Sequence, residues 1–279
     1  MSRSRRVTRL PSFSRASLIS SAAAGLLAVA VPSHAQPSAA DWSALGVLPD
    51  FSGVWVPDVA DQRRQERDGR PPWTPQAQKQ IDFLFAEDRA GRPKLILDHC
   101  LPHGMPSWML ITHNALEILA TPGRITMLGE GDGNRLRRIY TDGRPHPLDP
   151  DLTIHGHSTA EWDGDTLVVD TVGIIPQSYI ALSEAVGIPN NGGMHIVERI
   201  RLQDPDALLV ELAITAPKVL TDTWTTTRLF VRRRGLDFDI VEGQCVQGAL
   251  VEAEDEHGNA IFEHAPPPED GRVPTGRPQ

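Results

Sequence analysis

Two histidines separated by one glycine, His155 and His157, have the type and spacing that most directly suggest catalysis. In a β-strand, residues i and i+2 project from the same face, so both rings would point in one direction. An imidazole titrates near neutral pH, so either ring could act as a general acid or base. With His195 as a third ligand, the pair could instead bind a metal ion. The structural alternative is that all three are ordinary packed histidines.

Two charged residues occur at apolar positions of predicted strands. Glu198 alternates in phase with Ile196, and Arg228 alternates in phase with Trp224. A buried charge is costly unless it is paired. Glu198 and Arg228 would therefore form a structural ion pair that fixes the register of the sheet. Alternatively, Arg228 and Trp224 would bind a substrate carboxylate, with Glu198 orienting the arginine.

A third group of candidate residues lies in the segment 137–144. Strand alternation places Arg138 and Tyr140 on one face, followed by a turn at Asp142-Gly143. Arg138 is a second candidate anion-binding residue, Tyr140 could donate to a developing oxyanion, and Asp142 could orient a neighbouring arginine or histidine. The alternative is a charged strand edge that deters edge-to-edge pairing.

Two further rings complete the candidate substrate-binding residues. Trp162 lies in a predicted strand, and His103 lies in a loop stiffened by Pro102 and Pro106, where it could face the mouth of a pocket.

Strands must position all of these residues. Short alternating segments joined by tight turns such as Asp163-Gly164 and Arg234-Gly235 predict an all-β fold, an antiparallel meander that forms a barrel or sandwich. The predicted strands are 110–120, 124–130, 135–141, 157–162, 166–172, 194–203, 207–215, 222–233 and 236–246. A βαβ rhythm and a glycine-rich phosphate loop are both missing, which disfavours a dinucleotide-binding fold.

One N-terminal helix is predicted over residues 75–90, because Thr74 is a good N-cap and Pro75 suits the first helical position. The charged segment 58–72 is predicted to be a loop. Residues 36–248 would form a single β-rich domain, and the acidic, proline-rich residues 249–279 would form a flexible tail.

The first 35 residues are typical of a cleavable signal peptide. Five arginines without an acidic residue precede an apolar stretch from Ala16 to Val31, and a small-residue pattern follows that predicts cleavage after Ala35. The apolar run is shorter than the roughly 20 residues that span a membrane. Arg5-Arg6 leaves the twin-arginine route open beside general secretion. We therefore expect a periplasmic or secreted protein without an integral membrane segment after cleavage.

The formal charge of the chain is −9, and removal of the leader makes the remainder more acidic still. An acidic surface repels phosphate backbones, so nucleic acid is not an expected partner and a small molecule is.

The two cysteines, Cys100 and Cys245, would form one disulfide in an oxidising compartment. Such a bridge contributes roughly 4–5 kcal/mol in the chain-entropy description. Free buried thiols or a catalytic cysteine are the alternatives.

Several motifs occur in a fixed order: FSGVW, CLPHGMPSWM, RRIYTDGRPHP, GHSTAEWDGDTLVVDTVG and HIVERIRL, followed by a late cysteine. Together they resemble a large, mostly uncharacterised family of exported bacterial proteins. The resemblance covers about residues 51–245 and implies a calycin-like antiparallel barrel. By analogy with exported barrels of this kind, it implies chemistry on aromatic or terpenoid molecules without a cofactor. The chain departs from the family at 191–194, where relatives carry Pro-His-Ser, and at His155, where relatives often carry an aromatic residue.

These features predict a cofactor-independent lyase, decarboxylase or isomerase that acts on a small aromatic or apolar molecule such as a carboxylate. His157 or His155 would move a proton, and Arg228 or Arg138 would bind an anionic group. The alternatives are a non-catalytic periplasmic binding protein, a metal-dependent enzyme using His155, His157 and His195, and a structural envelope protein.

Overall fold

The computed structural model describes residues 42–93, 102–111, 115–130, 135–235, 238–241, 250–254 and 260–264. All of them belong to one compact unit, residues 36–279. The predicted signal peptide, its cleavage site and the Cys100–Cys245 disulfide lie outside the described residues.

The predicted all-β barrel is confirmed. Nine strands form a closed sheet: β1 (Gly53–Pro57), β2 (Leu116–Thr121), β3 (Arg124–Gly129), β4 (Leu136–Tyr140), β5 (His157–Asp163), β6 (Thr166–Val172), β9 (His195–Asp204), β10 (Ala207–Thr215) and β11 (Trp224–Arg233). Two hairpins lie outside it: β7 (Tyr179–Ala181) with β8 (Gly187–Pro189), and β12 (Leu250–Glu254) with β13 (Ala260–His264). The second hairpin lies within the segment whose composition predicted a tail.

The strand order is β1-β11-β10-β9-β6-β5-β4-β3-β2, and β2 returns to β1. The antiparallel meander is wrong at one place, where β4 pairs with β5 in parallel. β6 and β9 are antiparallel neighbours in the barrel, although the β7–β8 hairpin lies between them in the chain. A parallel pair needs a long crossover, and residues 141–156 supply it.

The barrel interior is densely packed. Alternate side chains such as those of Trp55, Met127, Val169 and Leu212 are at most 1% exposed. The short helix α4 (Ser107–Leu110) packs against inner positions of the wall: Arg228 donates to the Leu110 carbonyl, and a Cβ on Gly129 would lie 2.4 Å from the Trp108 indole nitrogen.

A buried polar network crosses the parallel seam between β4 and β5. Arg137 donates two hydrogen bonds to the Glu198 carboxylate, and it also donates to Ser158 at 3.1 Å and Thr171 at 3.0 Å. Only two residue pairs form the β4–β5 ladder. Because the four side chains come from β4, β5, β6 and β9, their hydrogen bonds reinforce the shortest interface of the barrel wall.

Three more helices lie outside the barrel: α1 (Trp42–Leu45), α2 (Val59–Asp68) and α3 (Pro75–Arg89). The prediction of α3 is confirmed, including the Thr74 cap, which accepts a hydrogen bond from the Ala77 amide at 3.2 Å. The loop predicted over 58–72 is wrong because α2 forms there. Asp58 caps that helix by accepting from the Ala60 and Asp61 amides.

Two predicted strands differ from the structure. The segment 110–120 becomes a strand only from Leu116, because residues 107–110 form α4. In the segment 236–246, residues 238–241 have no regular structure and the others lie outside the described part of the chain. Within the described ranges, every helix is too short or too polar to cross a membrane.

Candidate active site

The barrel wall separates the residues that the sequence suggested would share one interior pocket. Glu198 and Arg228 point inward and are 0% and 4% exposed, whereas the partly exposed His157 lies on the outer face of β5. Glu198 orients Arg137, so the predicted contact between Glu198 and Arg228 is wrong.

Arg228 is instead bound to the backbone. Its Nε donates to the Leu110 carbonyl at 2.8 Å, and its Nη1 donates to the Thr227 carbonyl at 2.7 Å and to the Thr226 hydroxyl at 3.1 Å. These contacts tie β11 to α4. They give Arg228 a structural role in place of the predicted contact with substrate.

Arg138 lies on the face of β4 that also carries Tyr140, as predicted, and its anion-binding role stays a prediction. In β4, Arg137 and Ile139 are buried, whereas Leu136 and Arg138 are exposed on the outer face. Arg137 is therefore the inward arginine of this strand, because the Glu198 carboxylate offsets the cost of burying it.

Three other candidate residues are buried. The ring of His155 packs against Trp108 with centroids 4.9 Å apart, and His103 is 9% exposed. The Trp224 indole donates to the Gly69 carbonyl at 2.9 Å.

The expectation that His155 and His157 share a strand face is wrong. The strand β5 begins only at His157, and Gly156 has a φ of 69°. The left-handed backbone turns the chain between the two histidines, so the i, i+2 rule does not apply.

The outer face of β5, β6 and β9 carries a cluster of four residues, which we call the histidine relay: His146, His157, Asp170 and His195. Asp170 Oδ1 lies 2.8 Å from His146 Nε2, and Asp170 Oδ2 lies 2.7 Å from His195 Nε2. The Nδ1 atoms of His146 and His157 are 2.8 Å apart. Thr159 Oγ1 lies 3.1 Å from His146 Nε2.

The chemistry of the partners fixes the protons of this relay. An ionised carboxylate only accepts hydrogen bonds, so Nε2 of His146 carries a proton. In neutral His146, Nδ1 is then an acceptor, and the hydrogen between the two rings belongs to His157 Nδ1. This tautomer leaves the Nε2 lone pair of neutral His157 available to take a proton. The arrangement parallels a base whose imidazole is oriented by a third group.

The environment favours the neutral form of His157. Burial lowers the pKa of this imidazole, and repulsion from a protonated His146 and from Arg144 lowers that pKa further. His157 is therefore deprotonated at neutral pH, as a general base must be.

Tyr140 and Arg144 line one side of the relay. The Tyr140 ring stacks on His157 with centroids 5.3 Å apart, and the Arg144 guanidinium lies 4.1 Å from the Tyr140 ring centroid. Asp142 accepts from Arg144 Nε at 2.9 Å, which fits the expectation that this aspartate orients a neighbouring cation. The same pairing raises the pKa of Arg144 and lowers that of Asp142.

A groove of about 310 Å³ adjoins the relay, a volume at the lower end of the range for small-molecule sites. Its lining includes Arg144, Thr159, Trp162 and Asp170. Trp162 was a predicted substrate-binding residue, and its ring packs against Phe51 at 5.3 Å. The Trp162 ring shares the inward face of β5 with Ser158 and Ala160 and packs against the core, so the groove presents the Arg144 guanidinium and the Asp170 carboxylate of the relay.

Sequence reasoning missed His146 and Asp170 and gave Arg144 no role of its own. Strand alternation could have found Asp170. In β6 its side chain points away from the face that carries the apolar Leu167 and Val169, and this outer face continues onto β9. His146 lies in the crossover 141–156, where no periodicity indicates the direction of a side chain.

The three histidines of the metal-dependent alternative have separate partners: Trp108 for His155, His146 for His157 and Asp170 for His195. Within the described residues, no group of three histidine, cysteine or acidic side chains has the geometry to hold a metal ion.

No protein-family model matches this chain, and no curated protein matches it. The resemblance to the exported bacterial family stays a prediction.

Proposed function

We propose that this chain is an exported, cofactor-independent enzyme that removes a proton from a small aromatic carboxylate or a related apolar molecule. The observation that supports this most directly is the hydrogen-bonded series Asp170–His146–His157, with neutral His157 at its end. Isomerases and lyases that act by elimination both begin with such a proton abstraction.

The substrate would lie in the 310 Å³ groove. Its apolar part would pack along Val168, and its carboxylate would bind Arg144. Arg144 directs Nε and Nη2 toward Asp142, and Nη1 makes no hydrogen bond to a described residue, so this amino group remains for an anion. Asp142 holds the guanidinium over the Tyr140 ring in a fixed orientation.

In the reaction, His157 Nε2 accepts the proton of an acidic C–H bond, and the electron pair stays on the substrate. The resulting imidazolium donates through Nδ1 to His146, whose Nε2–H donates to Asp170. Arg144 stabilises the negative charge that spreads toward the substrate carboxylate. The proton returns to another carbon in an isomerisation, or a leaving group departs in an elimination.

The test follows hydrogen exchange, which occurs whichever product the reaction forms. The protein is incubated in D₂O with small aromatic carboxylic acids that carry an acidic C–H, and deuterium uptake and product are followed by ¹H NMR. We expect uptake with at least one acid. His157→Gln should slow it by about 10²-fold or more, the usual contribution of a general base.

Asp170→Asn should also slow uptake, because an amide can donate to His146 and thereby favour the wrong tautomer. The matched control is Glu211→Gln, which removes a carboxylate from the outer face of β10, where it pairs with Arg201. Equal exchange rates in wild type, His157→Gln and Asp170→Asn would exclude the relay as the proton acceptor.

A further inference from the structure

A second and larger cavity, of about 740 Å³, lies between α2, α3 and the loop that joins β7 to β8. Its lining residues are distinct from those of the histidine relay and the 310 Å³ groove. The volume falls within the usual range for a site that holds a small organic molecule.

The apolar wall of this cavity comes from three parts of the chain. Ile81 and Phe85 are four residues apart on α3, so they form one stripe along the helix. Trp73 is 9% exposed and contributes a flat aromatic surface, and Leu182 contributes from the β7–β8 loop.

The segment between α2 and α3 is held in place by the barrel. The Trp224 indole donates to the Gly69 carbonyl at 2.9 Å, and the Thr221 amide donates to the Pro72 carbonyl at 2.8 Å. The Thr74 amide donates to the Val219 carbonyl at 2.8 Å. Because these bonds flank Arg70 and Trp73, both residues line a wall that exists before any ligand binds.

Three arginines also line the cavity: Arg63 on α2, Arg70 before α3 and Arg89 at the end of α3. None of them forms an ion pair with another residue in the described part of the chain. Asp82 and Asp88 line the cavity as well, so cations exceed anions there, although the whole chain carries a charge of −9. A local excess of arginine beside an aromatic wall complements an amphipathic anion.

We propose that this cavity binds a small amphipathic anion, an aromatic ring system with one carboxylate or sulfonate. The rings pack between Trp73 and the Ile81–Phe85 stripe, and the anion binds Arg63 and Arg70. This site is separate from the proposed active site and does not depend on its chemistry.

The test uses 1-anilinonaphthalene-8-sulfonate, a fused aromatic sulfonate whose emission rises on binding to an apolar site. Titration of the full chain should give one saturable site. The double variant R63A/R70A should raise the Kd about tenfold, because hydrogen bonds to the sulfonate are lost. Both arginines are exposed, so the fold should persist, and circular dichroism checks this. The matched control R234A removes an exposed arginine that pairs with Asp206 and should leave the Kd unchanged.

Two more measurements separate this site from general hydrophobic adhesion. The neutral analogue N-phenyl-1-naphthylamine should bind more weakly than the sulfonate and should not respond to R63A/R70A. Phe85→Ala should weaken both probes. An unchanged sulfonate Kd in R63A/R70A would overturn the proposal, as would co-sedimentation with phosphatidylglycerol vesicles that free sulfonate fails to displace. His157→Gln should leave the Kd unchanged, so failure of the proposed reaction does not alter this result.

Discussion

His146 and His157 face each other through their Nδ1 atoms, which lie 2.8 Å apart, so only one hydrogen fits between the two rings. A second proton on this nitrogen pair would place two N–H groups in opposition. The partly exposed carboxylate of Asp170 orients the pair through His146 Nε2.

Replacing Arg144 with glutamine should raise the pKa of His157. The guanidinium is one of the positive groups that lower this pKa, and glutamine removes the charge while keeping a polar side chain. NMR titration of the histidine Cε1 protons measures the shift, and the His157→Gln spectrum assigns the resonance. Arg234→Gln is the charge-matched control and should have no effect. A downward shift in Arg144→Gln would contradict this electrostatic account.

The lowered pKa of His157 also makes stability depend on pH in a defined direction. The unfolded chain binds the proton near pH 6.5, and the folded chain binds it only at lower pH. The unfolded state thus holds more protons between these values, and His157 destabilises the fold progressively as pH falls below about 6.5. Above about pH 6.5 the His157 imidazole is neutral in both the folded and the unfolded state, so its contribution to stability does not change with pH. Any activity that needs neutral His157 should fall on the same acid side.

Urea unfolding of wild type and His157→Gln at pH 5.0 and pH 7.5 measures this contribution. The stability difference between the two proteins should change with pH in favour of His157→Gln at pH 5.0. If lowering the pH instead made wild type more stable relative to His157→Gln, the pKa of His157 would be raised in the folded protein.

The inner ion pair should matter for folding and little for chemistry. Glu198→Ala would leave Arg137 buried with no carboxylate partner, which typically costs about 3–5 kcal/mol. The double variant Arg137→Met/Glu198→Leu removes both charges and should recover most of that stability, because an apolar replacement of similar volume is often neutral. Urea denaturation measures both effects. If the double variant is no more stable than Glu198→Ala, the pair is needed for a reason other than charge balance.

Local patterns predicted the parts of the fold that depend on neighbouring residues. The hairpins of β9, β10 and β11 follow from alternation and tight turns, and α3 follows from Thr74-Pro75. The predicted alternation along Leu136–Tyr140 is correct, because Arg138 and Tyr140 share one face of β4. The buried face of this strand, however, is the one that carries Arg137. A carboxylate 61 residues away, on Glu198, makes this burial favourable, and no window around β4 contains that information.

In the candidate site, too, local sequence patterns identified the residues on strands and missed those that long-range pairing brings to them. His157 and Tyr140 were selected from strands, and the structure stacks their rings on the outer face, whereas the Trp162 ring packs against the core. His146 reaches His157 only because the crossover 141–156 folds back over the sheet, and the parallel β4–β5 pairing determines that path. Sequence alternation could identify the strand residues but could not bring the crossover to them.

The position of His157 depends on the glycine before it. Gly156 has a φ of 69°, and an added Cβ would lie 2.5 Å from the Val172 carbonyl oxygen. Gly156→Ala should therefore combine the left-handed penalty of about 1–2 kcal/mol with a backbone clash that flexible side chains cannot relieve. The matched control is Gly164→Ala in the β5–β6 turn, where φ is 61° and nothing lies within 4 Å of the added Cβ. Thermal unfolding should show a larger loss for Gly156→Ala than for Gly164→Ala, and a shifted His157 resonance in Gly156→Ala alone. Equal losses would show that the chain relaxes around residue 156, and the glycine would then contribute only its backbone freedom.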